Sequence, residues 1–130
     1  MDAVQFSFKT AAFMDPPEKL AENVNGFAGC ALAEWMSGEV GKRGIDASKS
    51  WAEDHGWDFS ARHGGTRYLI ACIIQEDDDG AREGGVVVHK ARSMTDKLFG
   101  RNRMENDDAV VAAVRMALNA EPSVRELTME

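Results

Sequence analysis

Two hydrophobic patterns with different periods open the chain. Residues 4–9 read Val-Gln-Phe-Ser-Phe-Lys, and this alternation of apolar and polar positions is typical of a strand with one buried face. Over residues 27–43 the apolar positions recur at helical spacing instead, with Phe27, Ala31 and Trp35 four residues apart. We therefore expect a strand followed by an amphipathic helix.

The clearest local pattern covers residues 57–74, where two apolar-rich runs flank Gly64 and Gly65. Both central positions of a tight hairpin turn favour positive φ, which suits a pair of glycines. This turn would place Trp57 opposite Cys72. The core face would then hold Trp57, Phe59, Ala61, Tyr68, Ile70 and Cys72. The other face of the second strand would carry the apolar residues Leu69, Ala71 and Ile73, which indicates that this strand is central.

A second helix is predicted over residues 107–119, with Asn106 as its N-cap. For the first helix, Asn25 is the expected N-cap, and Gly44 is expected to end it. The remaining segments are an acidic loop at 75–85, a strand at 85–89, a helical turn at 94–99 and a closing strand at 124–129.

The resulting order is β-α-β-β-β-α-β. It predicts an α+β fold, a mostly antiparallel sheet of about five strands with two helices packed on one face. A length of 130 residues suits a single domain over residues 1–130.

Composition excludes several classes of function. The chain has 15 Lys and Arg against 22 Asp and Glu, a net charge of −7 that disfavours binding to nucleic acid. No apolar run approaches the ~20 residues of a membrane span, and the N-terminus lacks a basic, then apolar, signal pattern. We expect a cytoplasmic protein that does not bind membranes. Its two cysteines, Cys30 and Cys72, lie in apolar stretches and are expected to be reduced and buried.

Four short motifs carry a resemblance. They are Ala-Glu-Trp at 33–35, Arg-Gly at 43–44, Glu-Asp-His-Gly-Trp at 53–57, and the Pro turn and final strand at 121–127. In these the chain resembles a family of short, uncharacterised bacterial proteins, over roughly residues 25 to 130. The resemblance implies a shared fold and carries over no catalytic residue.

Residues 53–57 are also the densest polar cluster. Two carboxylates beside His55 are suited to acid–base chemistry, and a Cys72–His55 pair would form a nucleophile and its base. That pair requires His55 to share a face with Trp57, on a strand extended backwards. Turn chemistry is the alternative explanation, because Asp54 suits an Asx-turn and Gly56 suits positive φ.

Charge is segregated in the second half of the chain. Residues 75–85 carry five carboxylates and one arginine, whereas residues 90–103 carry five bases and only Asp96. The two segments could offset each other within the fold or across a dimer, or the basic segment could bind an anionic partner. The acidic run lacks the ligand spacing of a calcium loop, and no metal or other cofactor is predicted.

These observations favour a non-catalytic module that binds a protein partner or a second copy of itself. The sheet face without helices would be the contact surface. The candidate binding residues are Trp51, Glu53, Asp54, His55, Trp57, Leu69 and Ile73; no catalytic residue is assigned. The alternative is a small-ligand-binding protein or enzyme with a pocket near residues 53–57 and Cys72.

Overall fold

The computed structural model describes residues 3–130. Its strands are β1 (Ala3–Lys9), β2 (Asp46–Ala47), β3 (Trp51–Glu53), β4 (Gly56–His63), β5 (Thr66–Glu76), β6 (Arg82–Lys90) and β7 (Arg125–Met129). Its helices are α1 (Pro17–Glu22), α2 (Cys30–Lys42), α3 (Met94–Leu98) and α4 (Ala109–Ala120).

All seven strands form one antiparallel sheet in the order β2-β4-β5-β6-β1-β7, with β3 also paired to β4. The α+β class is confirmed, but the sheet has more than the expected five strands and the fold has four helices instead of two. The missed strands, β2 and β3, are two and three residues long and share one edge of β4. Of the two short helices, α3 lies where a helical turn was predicted at residues 94–99, whereas α1 was not predicted; neither buries a residue. Elements this short leave no readable period in the sequence.

The central hairpin has the predicted register. Trp57 lies opposite Cys72, and β5 is central, between β4 and β6. Gly64 and Gly65 take φ values of 58° and 78°, as the tight turn requires.

The core lies between one face of the sheet and helices α2 and α4. It is built from the side chains of Phe6, Phe59, Ile70, Cys72 and Val88 on the sheet and of Leu32, Met36, Val110, Val114 and Leu118 on the helices. The opposite sheet surface, which we call the open face, carries Gln5, Ser7, Trp51, Ser60, Leu69, Ala71, Ile73, Val87 and His89, all at least partly exposed.

Both predicted N-caps are wrong. Helix α2 begins at Cys30 after Gly29, and its first amide groups donate to the carboxylate of Asp15 from the preceding loop. The side chain of Asp15, from an earlier loop, thus caps the helix in place of Asn25. Helix α4 begins after Asp108, two residues later than Asn106.

The acidic loop is also shorter than predicted. Backbone pairing of Gln75 with Glu83 and of Glu76 with Arg82 extends both strands. Only residues 77–81 remain as the turn.

Candidate functional site

The turn between β3 and β4 is held by two asparagine side chains from the segment after α1. Asn23 is buried, and its Nδ2 atom donates to the carbonyl oxygens of Glu53 at 2.7 Å and Gly56 at 2.9 Å. Asn25 donates from Nδ2 to the carbonyl of Asp54 at 2.6 Å. Gly56 has a φ of 146°. The polar sequence 53–57 therefore forms a tightly fixed turn.

Within this turn, His55 bridges two carboxylates. Its Nε2 atom lies 2.8 Å from Oδ1 of Asp58, and its Nδ1 atom lies 3.2 Å from Oδ1 of Asp54. Asp58 is only 2% exposed, although it lies on the open-face side of β4. Because a carboxylate only accepts hydrogen bonds, both contacts are satisfied together when the ring carries both protons.

The pKa values in this cluster follow from burial and from these contacts. Partial burial lowers the pKa of His55, but the hydrogen bonds and charges of Asp58 and Asp54 outweigh it, so the pKa is raised above 6.5. Burial raises the pKa of Asp58, and the bond and charge of His55 oppose that rise. The charge of Glu53 also raises the pKa of Asp58, and His89 lowers it slightly. His55 is thus the counterion of a buried carboxylate and has no ring nitrogen left to act as a base.

The aromatic candidate Trp51 lies beside this cluster. It pairs with Asp58 across the β3–β4 ladder, and its Nε1 atom donates to Oε1 of Glu53 at 2.7 Å. Across the sheet, Asp58 lies opposite Ala71, which in turn lies opposite Val87. The polar cluster is therefore connected to the apolar middle of the open face by a continuous series of cross-strand partners.

The apolar strip occupies that middle. Leu69, Ala71 and Ile73 alternate along β5, and all three are half-buried. The structure thus brings Trp51, Glu53, Asp54 and His55 together at one end of the face that carries Leu69 and Ile73.

Trp57 and Cys72 lie on the other side of the sheet. Trp57 is 3% exposed and donates from Nε1 to the carbonyl oxygen of Phe27 at 3.2 Å, so it is a core residue. Cys72 is 1% exposed, and burial raises the pKa of its thiol. His55 lies in the turn before β4, not on a strand extended backwards, and its ring contacts the open-face residue Asp58. The predicted Cys72–His55 pairing therefore does not form.

Two residues of the site were missed in the sequence. Asp58 was not among the candidate residues, and the structure buries it in contact with the ring of His55. Asn23 lies 30 residues from the carbonyl of Glu53, so no local pattern could reveal that contact.

Within residues 3–130, no group of three or more His, Cys, Asp or Glu side chains is arranged to hold a metal ion. None of the helices in that range combines the length and the apolar character needed to cross a bilayer.

Comparison with known proteins assigns neither a family nor an activity, since no family model, curated protein or solved structure matches the chain. The resemblance to short bacterial proteins therefore stays a prediction.

Proposed function

We propose that this chain is a non-catalytic protein-binding module that uses the open face to bind a second copy of itself or another protein. The observation that carries this proposal is the composition of that face. Leu69, Ala71, Ile73 and Val87 form an apolar centre, and Trp51 stands at its edge. Partly exposed apolar centres of this kind, with an aromatic residue and a polar surround, are typical of protein contacts.

The dimensions of the face also suit such a contact. Six neighbouring strand positions at ~4.8 Å spacing span roughly 24 Å, and a strand as long as β5 spans roughly 35 Å. Because the other strands are shorter than β5, the mean length is roughly 25 Å and the face covers roughly 600 Å², the lower end of the ~600–1,000 Å² that each partner contributes to a standard protein interface.

The chemistry of the polar residues supports binding over catalysis. Both ring nitrogens of His55 contact carboxylates, the indole of Trp51 is bound to Glu53, and the thiol of Cys72 faces the core. Among these groups, none combines a reactive protonation state with access to solvent. Their mutual bonds instead fix the shape of one end of the face.

The test is light scattering coupled to size exclusion at high salt, where apolar contacts persist and exposed charges are screened. We compare the wild-type chain with Ile73→Arg, which places a charge in the apolar strip. The matched control is Met116→Arg, at a 56% exposed position of α4, a helix that covers the other face of the sheet. A dimer of wild type and control that is lost only in Ile73→Arg supports self-association through the open face.

If the wild-type chain is monomeric at high salt, the open face must bind a different protein. Affinity capture from the source cells tests this second possibility. A protein retained by wild type and by Met116→Arg but lost with Ile73→Arg supports a partner on the open face. A monomer with no protein that shows this pattern would overturn the proposal.

A further inference from the structure

The segment after β6 exposes an unusual amount of apolar surface. Met94, Leu98 and Phe99 are 81%, 76% and 67% exposed, and all three belong to α3 or to the residue that follows it. Helix α3 buries none of its residues, whereas Met104 farther along returns to the core. These three apolar side chains therefore project into solvent and do not pack against the core.

Cations surround this apolar group. Lys97, Arg101 and Arg103 are exposed, and the guanidinium of Arg101 lies 5.5 Å from the ring centre of Phe99. No ion pair within residues 3–130 involves any of the three, although the exposed carboxylates of Glu105 and Asp107 follow closely in sequence. We call the six residues Met94, Lys97, Leu98, Phe99, Arg101 and Arg103 the α3 patch.

The opposite charge lies in the turn that joins β5 to β6. We call this the acidic tip, and it consists of Glu76, Asp77, Asp78, Asp79 and Glu83, all of them exposed. Arg82, whose guanidinium donates to the carbonyl oxygens of Ala12 and Phe13, offsets only one of these five charges, so the region keeps a net charge of −5 + 1 = −4. No carboxylate of the tip forms an ion pair in the part of the chain that the structure describes.

An apolar contact surface adjoins the acidic tip. Met14 is 67% exposed, and with Leu20, Ile74 and Glu76 it lines a cavity of about 120 Å³. The α3 patch therefore carries three exposed apolar side chains beside its charge, and the acidic tip has Met14 beside it, where Leu20 is partly exposed and Ile74 is buried.

The two surfaces cannot meet within one chain. Strand β6 begins at the acidic tip and ends before the α3 patch, and its nine residues span about 27 Å. That distance exceeds the screening length of ~8 Å at physiological salt. We propose that the α3 patch of one copy binds the acidic tip of a second copy, in a head-to-tail contact that does not involve the open face.

Charge reversal at both ends gives a decisive test. Lys97→Glu/Arg101→Glu changes the α3 patch from +3 to −1, and Asp78→Lys/Asp79→Lys changes the acidic tip, counted with Arg82, from −4 to 0, so neither variant alone has ends of opposite charge. All four side chains are exposed, so both variants should fold, which circular dichroism verifies. Light scattering at about 0.02 M salt should show association of the Ile73→Arg chain, in which the open face is disrupted, and this association should weaken at least about tenfold at about 0.5 M salt.

In the Ile73→Arg background, where the open face cannot mask the result, each double variant should stay monomeric alone at low salt, and an equimolar mixture of the two should associate again. Ile73→Arg, which disrupts the open face, should leave this low-salt association intact, so the head-to-tail contact and the proposed function are tested separately. A wild-type chain that is monomeric at low salt would overturn the head-to-tail contact. So would double variants in the Ile73→Arg background that associate alone as Ile73→Arg itself does, or a mixture of them that stays monomeric.

Discussion

The imidazole of His55 is the counterion of Asp58, from which its Nε2 atom is separated by 2.8 Å. The side chain of Asp58 is 2% exposed, whereas that of His55 is 53% exposed. A charge removed from water in this way is stable only with a partner. The turn that positions His55 therefore protects a buried carboxylate at the edge of the open face.

This pair predicts a pH-dependent stability. Because the pKa of His55 is raised in the folded state, the folded chain holds this proton more tightly than the unfolded chain. The stabilisation is complete below the ordinary value of 6.5 and is lost as pH rises through the folded pKa. Urea unfolding at about pH 6 and about pH 9 should show a lower free energy of unfolding at the higher pH.

Substitution His55→Gln should remove this part of the pH dependence and cost about 1–2 kcal/mol at about pH 6, since Asp58 loses a charged partner. His63→Gln, at the exposed end of β4, is the control for removing a histidine elsewhere on the surface. His89 and Glu53 also act on the charge of Asp58 and are left unchanged. An unaltered slope in His55→Gln would contradict the role of this pair.

The sequence was informative where structure is local or periodic. The register of the central hairpin follows from Gly64 and Gly65 together with an alternating pattern on both sides. The site depends instead on contacts between segments distant in sequence, such as Asn23 with Glu53. A hydrogen bond between residues 30 positions apart produces no periodic pattern in the sequence. The turn at residues 53–57 could therefore be predicted, but the asparagine that holds it could not.

A second such contact predicts that Asp15 stabilises α2. Its Oδ2 atom accepts from the amides of Gly29 and Cys30 at 2.9 Å each, and its Oδ1 atom accepts from that of Ala31 at 2.7 Å. These amides have no partner within the helix, so Asp15→Ala should lower the free energy of unfolding by about 1–3 kcal/mol. Urea unfolding measures the loss, and Glu18→Ala, an exposed carboxylate nearby, should change it little.

Both cysteines should resist thiol reagents in the folded chain. Cys72 is 1% exposed and Cys30 is 2% exposed, and burial, with the bond to Glu34, raises the pKa of Cys30 to about 12. The thiolate is the reactive form, so labelling at neutral pH should occur only through unfolding and should accelerate in urea. An added thiol at the exposed position of Ala120→Cys provides the fast reference. Rapid labelling of Cys72 without denaturant would show that its strand face is open to solvent.

Two glycines should respond in opposite directions to the same substitution. A Cβ atom at Gly56 would lie 2.5 Å from the carbonyl oxygen of Cys72, on a backbone with a φ of 146°. Gly56→Ala should therefore lower the free energy of unfolding by about 2 kcal/mol or more. At Gly38, inside α2, a Cβ atom would meet nothing within 4 Å, so Gly38→Ala should raise it by about 0.5–1 kcal/mol. Urea midpoints that move in the same direction for both variants would contradict the close approach of β5 to the turn that carries His55.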